Sequence, residues 1–121
     1  MNILVIEDSV DLAEAMAELL REAGHRVTVR DEEDGRSIDA LVAYVTEERF
    51  DALLVDLGLS DMDGAALVEA LSVEPNPAPI ILCTGAAADR IDHLRPKVAI
   101  VLTKPFAFDA LLESVAQIRR R

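Results

Sequence analysis

The chain has 121 residues, the length of one domain, and 51% of them are hydrophobic, which argues against a disordered chain. The formal net charge of −11 gives a surface that repels phosphate backbones, so we expect no direct nucleic-acid binding by this domain. A single cysteine excludes an intrachain disulfide and a cysteine-rich metal site. The sequence shows no signal peptide and no apolar run near the roughly 20 residues of a membrane span, so we expect a cytoplasmic location without membrane contact.

Short apolar segments alternate with stretches of helical periodicity along the whole chain. The apolar segments predict strands at residues 3–6, 27–29, 52–55, 80–83 and 98–102. Helices are predicted from Ser9 to Gly24, then around residues 38–45, 64–73 and 107–119, with a weak fourth helix at 90–94 before the last one. Strands that are apolar on both faces and alternate with helices predict a doubly wound α/β fold, a parallel sheet with helices on both faces. We expect residues 1–121 to form a single domain.

Polar side chains follow four of the predicted strands. Glu7 and Asp8 come after the first, Asp56 ends the third, Thr84 follows the fourth, and Lys104 comes shortly after the fifth. Ligands of such folds bind at the carboxyl ends of the strands, so we expect these side chains to converge. Three clustered carboxylates repel one another unless a cation lies among them, and oxygen ligands suit Mg²⁺. A carboxylate can also attack phosphorus, with a metal ion, an ammonium group and a hydroxyl group stabilising the transferred phosphoryl charge.

The segments that carry these side chains resemble the receiver domain of bacterial two-component response regulators. The matching segments are residues 3–8 (ILVIED), 51–64 (DALLVDLGLSDMDG), 80–85 (IILCTG) and 102–106 (LTKPF). They occur in the family's order, and each lies at a predicted strand end. The resemblance covers the whole chain and implies the flavodoxin-like fold of the chemotaxis type, with the five strands in the order 2-1-3-4-5.

The resemblance also implies a role for the acidic residues. Asp56 matches the phosphoacceptor, which receives a phosphoryl group in a Mg²⁺-dependent reaction. Glu7 and Asp8 match the acidic pair that holds Mg²⁺ directly or through water, together with Asp56. Gly58 matches the position whose backbone carbonyl joins the metal ion.

The remaining matched positions concern the response to phosphorylation. Thr84 matches the switch hydroxyl that reaches for the phosphoryl group, and Lys104 matches the lysine that pairs with it. The Lys104–Pro105 bond matches one that is cis in the family. The implied phosphoryl donor is a sensor histidine kinase or a histidine phosphotransfer protein, and the implied recipient of the signal is an output domain or protein. We therefore expect a signalling domain that does not turn over an external substrate.

Two positions depart from the family pattern. The usual proline in the loop after the acceptor is replaced by Ser60, and the aromatic switch residue often found on strand five is replaced by Val101. The short segment 86–97 further predicts a stunted fourth helix, so a standard aromatic switch is not expected.

Two other functions fit parts of the same pattern. A pseudo-receiver would be a protein-binding module without chemistry, but such modules typically lose an acid or the lysine, whereas here every position is filled. A Mg²⁺-dependent phosphohydrolase of the aspartyl-phosphate type usually carries an Asp-x-Asp nucleophile after the first strand, whereas this chain has Glu7-Asp8 there. Phosphate-binding loops of the Walker or G-x-G-x-x-G type are absent from the sequence.

Overall fold

The computed structural model describes residues 1–30, 37–60, 62–85 and 91–120. Five strands and four helices alternate within these ranges: β1 (Asn2–Ile6), α1 (Val10–Glu22), β2 (Arg26–Val29), α2 (Ile38–Glu48), β3 (Ala52–Asp56), α3 (Gly64–Ser72), β4 (Ile80–Thr84), β5 (Ile100–Thr103) and α4 (Phe108–Arg119). All neighbouring strands are parallel, and their order is β2-β1-β3-β4-β5. The predicted doubly wound, flavodoxin-like architecture is confirmed.

Polar side chains set the first turns of three helices. The Ser9 hydroxyl accepts a hydrogen bond from the backbone N–H of Leu12, and the Ser37 hydroxyl begins α2 in the same way. The Asp63 carboxylate accepts from two backbone N–H groups at the start of α3. Each cap satisfies donors that the helix itself leaves unpaired. The predicted end of α1 is also confirmed, because Gly24 follows its last turn with φ of 97°.

The sheet separates two apolar layers, and side chains of each central strand alternate between them. One layer joins the strands to α2 and α3 through buried residues that include Leu4, Ile6, Leu53, Val55, Leu67 and Val68. The other joins them to α1 and α4 through residues that include Ile3, Val5, Met16, Leu54, Ile81 and Leu111. Cys83 belongs to the second layer, where burial raises the pKa of its thiol to about 12 and keeps it protonated. Burial on both faces explains why the central strands lack polar alternation.

The segment between β4 and β5 bears out the prediction of a weak fourth helix at residues 90–94 only in part. Residues 86–90 lie outside the described ranges, Ile91 is helical, and residues 92–94 form a turn that leads into a 3₁₀ helix at Arg95–Lys97. Ile91 and Leu94 are buried and anchor this turn against the core. Pro96 lies at the start of the 3₁₀ helix, a position at which its missing N–H costs no hydrogen bond.

Among the described helices, none has the length and apolar character needed to cross a membrane.

Gly64 is required where α3 begins against the loop that follows β3. A Cβ atom at this position would overlap the carbonyl oxygen of Leu57 and lie 2.9 Å from its carbonyl carbon. Because the obstruction is backbone, it cannot move aside as a flexible side chain would. We expect Gly64→Ala to lower the free energy of unfolding by about 1–3 kcal/mol, the usual cost of overpacking. Urea unfolding measures the loss, and Gly85→Ala is the control, since a Cβ there meets nothing within 4 Å. Equal stability of the two variants would contradict the prediction.

Candidate functional site

The sheet brings the carboxyl ends of β1, β3, β4 and β5 to one edge. Ile6 is aligned with Val55 across the first pair, Asp56 with Cys83 across the second, and Thr84 with Thr103 across the third. Side chains that leave these strands at their last residue, or within two residues of it, therefore lie beside one another. The register confirms the expected convergence of the polar residues at this edge.

Lys104 links two of the predicted carboxylates. Its ammonium nitrogen lies 2.7 Å from Glu7 Oε1 and 3.3 Å from Asp56 Oδ1. The two acidic side chains are only 2% and 7% exposed, whereas that of Lys104 retains 28% exposure. Buried carboxylates are costly unless a cation and hydrogen bonds compensate them. In this structure the ammonium group of Lys104 supplies that compensation.

The environment of Glu7 shifts its ionisation toward the neutral form. Burial raises the pKa of Glu7 above its usual range, hydrogen bonding with the Asp56 carboxyl raises it further, and the hydrogen bond from Lys104 opposes both effects. Burial alone would lower the pKa of Lys104, but the bond to Glu7 and the charge of Asp56 outweigh burial and raise it. Glu7 therefore carries its negative charge at a cost, while Lys104 stays cationic.

The raised pKa of Glu7 predicts a pH-dependent stability. A carboxyl whose folded-state pKa is raised stabilises the fold fully below its unfolded pKa, and that contribution is lost as the pH rises through the folded value. Gln resembles the protonated form, so Glu7→Gln should raise the melting temperature at pH 7.5 without Mg²⁺. The gain should shrink toward pH 4. Thermal melts at both pH values test this, with exposed Glu113→Gln as the control. A gain that is unchanged at pH 4 would contradict the assigned cause.

Backbone N–H groups hold the other acidic oxygens. Gly58 N–H donates to Asp56 Oδ1 at 3.0 Å, and Ser9 N–H donates to Glu7 Oε2 at 3.1 Å. Ser60 N–H donates to Asp8 Oδ2 at 2.6 Å and so joins the loop after β3 to the loop after β1. Hydrogen bonds to ionised acceptors are among the stronger ones in proteins. All three carboxylates are thus fixed by short loops at the edge of the sheet.

The donor set at this edge suits a magnesium ion. Mg²⁺ typically takes one or two protein carboxylates, keeps several waters and is completed by a phosphate oxygen. Asp8 and Asp56 would supply the carboxylates of such a set, and the resemblance implies the backbone carbonyl of Gly58 as a further ligand, with Glu7 next to Asp8 in the chain. Within the described ranges, however, no group of three acidic, histidine or cysteine side chains is arranged to hold an ion as it stands. Glu7 is instead engaged by Lys104, so direct coordination by all three acids would require rearrangement.

Thr84 and Lys104 border an open depression above Asp56. The depression has a volume of about 280 Å³ and is also lined by Leu57, Gly58 and Gly85. Thr84 is only 2% exposed, and its backbone carbonyl accepts a hydrogen bond of 2.8 Å from the N–H of Lys104. The Lys104–Pro105 bond is cis, as the resemblance implies. The depression has room for a small anionic group, with one carboxylate, one ammonium and one hydroxyl residue at its border.

Val101 lies away from these groups, on β5, and pairs with Leu82. It is half-buried against the layer of α2 and α3. A valine has one χ angle and is stiffened by its branched Cβ, so it has little freedom to turn inward. Thr84 and Lys104, in contrast, place a hydroxyl and an ammonium group at the border of the depression.

Comparison with known proteins identifies the family of this chain. The model of the response regulator receiver domain matches residues 3–116, nearly the whole chain. The chain belongs to the response regulator receiver domain family. Domains of this family are the phosphoacceptor signalling modules of two-component systems, as the sequence motifs indicated.

Curated relatives agree with that assignment, and a solved structure shares the fold. A response regulator receiver protein of Anaeromyxobacter sp. strain Fw109-5 is 35% identical over 91% of this chain and 45% of its own length. The transcriptional regulatory protein PhoP of Escherichia coli K12 is 30% identical over 100% of this chain and 53% of its own length. The chain thus spans about half the length of the curated relatives it matches. The structure of response regulator TrrA from Thermotoga maritima, in complex with Mg²⁺-BeF, has a TM-score of 0.80 at 22% identity and covers 97% of both chains.

Proposed function

We propose that Asp56 accepts a phosphoryl group from a phosphohistidine donor and that the resulting aspartyl-phosphate is the signal of this receiver domain. The observation that carries the proposal is the setting of Asp56 at the open depression. Its buried carboxylate is held by the Gly58 N–H and the Lys104 ammonium, and it faces no other cationic side chain in the described ranges. A carboxylate fixed beside an opening for an anionic group is suited to nucleophilic attack on phosphorus.

The reaction forms one bond and breaks one. A carboxylate oxygen of Asp56 forms a bond to phosphorus, the phosphorus–nitrogen bond of the donor breaks, and the imidazole leaves with its electron pair and takes up a proton. The negative charge of the peripheral phosphoryl oxygens then needs compensation. The Lys104 ammonium lies 3.3 Å from Asp56 and can form an ion pair with these oxygens. Thr84 can donate its hydroxyl hydrogen to one of them.

Asp8, Asp56 and the Gly58 carbonyl would hold Mg²⁺, with Glu7 contributing directly or through water. When bound, the ion would neutralise phosphoryl charge beside the acceptor. Support comes from the oxygen-only donors at this edge and from the Mg²⁺-BeF complex of TrrA, a protein of the same fold. Lys104 would release Glu7 as the site becomes occupied, because Glu7 then has a second cation nearby.

We also propose that residues 1–121 act as one receiver domain, with a sensor histidine kinase or a histidine phosphotransfer protein as donor. The relatives are about twice as long as this chain, and one of them is a transcriptional regulatory protein, which supports an output domain or protein as the recipient of the signal. Signal transmission would rely on Thr84 and Lys104, since Val101 is stiff.

Incubation with acetyl phosphate, followed by intact mass spectrometry, tests the proposal without the cognate kinase. We expect one phosphoryl group per chain with Mg²⁺ present and none with excess EDTA. A chain that stays unmodified in Mg²⁺ would instead support a pseudo-receiver. Continuous turnover of many small phosphate esters per chain would support a phosphohydrolase.

A further inference from the structure

We infer that the backbone N–H of Ser60 is a positioning group for the magnesium site, an inference that rests on the proposed function. The bond it makes to Asp8 Oδ2 is 2.6 Å long and joins residues 52 positions apart in the chain. It ties the loop after β3 directly to a side chain of the loop after β1.

The donor is a property of the residue type at position 60. Every amino acid except proline carries a backbone N–H, and proline is the residue that the family resemblance leads one to expect at this position. A chain with proline here could not make the bond to Asp8. The serine hydroxyl is not the donor in this bond, so the relevant difference is the presence of the N–H.

The bond from Ser60 holds the Asp8 carboxylate at the edge of the sheet where Glu7 and Asp56 also lie. Glu7 and Asp56 share the ammonium of Lys104, and their negative charge at this edge of the sheet opposes the approach of a third carboxylate. A fixed N–H on Oδ2 opposes that repulsion and sets the plane of the Asp8 carboxylate before an ion arrives. One oxygen of the Asp8 carboxylate is therefore held in place in the absence of metal.

Hydrogen-bond partners that orient metal ligands have a measurable effect on metal affinity. Their removal typically weakens binding by about 10–100-fold. The loop of Ser60 is exposed, which places the expected effect near the lower end of that range. The inferred role is therefore to raise Mg²⁺ affinity through Asp8, while Asp56 and Lys104 keep their own contacts.

The test compares Ser60→Pro, which removes the N–H, with Ser60→Ala, which removes only the hydroxyl. Mg²⁺ is titrated into each variant by NMR, and phosphorylation by acetyl phosphate is followed at increasing Mg²⁺. We expect Ser60→Pro to raise the Mg²⁺ Kd about 10-fold, with the same rise in half-saturating Mg²⁺ but an unchanged maximal rate. Ser60→Ala should match the parent. Parent-like Mg²⁺ affinity in Ser60→Pro, or equal weakening in Ser60→Ala, would overturn the inference.

A second substitution separates loss of the N–H from strain caused by the proline ring. Replacing the Leu59–Ser60 amide with an ester removes the same N–H and keeps the serine side chain. If Ser60→Pro does not fold, the ester variant alone decides, and parent-like Mg²⁺ affinity in it would overturn the inference. Failure of the proposed function would look different from failure of this inference. In that case the parent would bind Mg²⁺ without becoming phosphorylated, and the Mg²⁺ Kd of each variant could still be compared with that of the parent.

Discussion

Asp56→Asn should reduce phosphoryl labelling from acetyl phosphate to the background of the unreacted protein. The amide keeps the shape of the carboxylate but lacks the nucleophilic oxygen that forms the bond to phosphorus. Because Asp56 is buried beside Lys104, the substitution also removes one of the two acids that the ammonium compensates. The fold should therefore be retained, and an NMR spectrum of the variant verifies this before labelling is measured by intact mass.

The matched control is Asp109→Asn, which changes an exposed acid in the first turn of α4. It should be labelled to the same extent as the parent, since it alters the net charge equally but leaves the edge of the sheet intact. Peptide mapping of the labelled parent should place the modification on the peptide that contains Asp56. Labelling of Asp56→Asn at the parent level would show that another side chain is the acceptor.

The convergence of the polar residues was predictable because it follows from topology. Parallel strands of a doubly wound sheet end at the same edge, so polar residues directly after apolar runs must meet there. The segments at residues 3–6, 52–55 and 80–83 were found within one residue of β1, β3 and β4, since a strand buried on both faces leaves an uninterrupted apolar run.

The start of β5 and the segment that precedes it were less predictable. β5 begins at Ile100 instead of residue 98. The 3₁₀ helix ends at Lys97, and the first hydrogen bond to β4 is donated by the N–H of Ala99 to the carbonyl of Ile80, so strand pairing starts beyond residue 98. Of the helix predicted at 90–94, Ile91 is helical, whereas residues 92–94 form a turn that leads into that 3₁₀ helix. Both differences arise where tertiary contacts and a proline override a weak local pattern.

The contacts within the site could not be derived from residue types. Lys104 lies nearer to Glu7 than to Asp56, a preference set by loop geometry. The donors to Asp8 and Asp56 are backbone N–H groups of Ser60 and Gly58, which every residue except proline carries and which leave no mark in a motif. The one available signal was the missing proline at position 60, which is visible only against the family pattern.

Lys104→Met should destabilise the metal-free protein by about 2–4 kcal/mol at pH 7.5. Methionine keeps the length of the side chain but leaves Glu7 and Asp56 as two buried, adjacent carboxylates without a cation. Breaking a buried ion pair typically costs about 3–5 kcal/mol, and the 28% exposure of the Lys104 side chain reduces that cost. Urea unfolding in EDTA measures the loss.

Lys97→Met is the matched control for this effect. Lys97 also pairs with a glutamate, but the Nζ–Oε1 distance to Glu69 is 3.4 Å and both side chains are well exposed, so its removal should cost less than about 1 kcal/mol. An equal loss in the two variants would mean that the general removal of a lysine charge, and not the buried carboxylates, causes the instability.

Uncompensated carboxylate charge as the cause also predicts how the loss of stability in Lys104→Met depends on pH and on Mg²⁺. Burial already raises the pKa of Glu7 above its usual range, and loss of the opposing hydrogen bond from Lys104 should raise that pKa further. Stability lost in this way is lost as the pH rises through the folded-state pKa, so the penalty should shrink when the pH is lowered toward 4. Millimolar Mg²⁺ should also reduce it, since the ion replaces the missing cation. A penalty independent of both pH and Mg²⁺ would point to lost packing of the lysine stem instead of uncompensated charge.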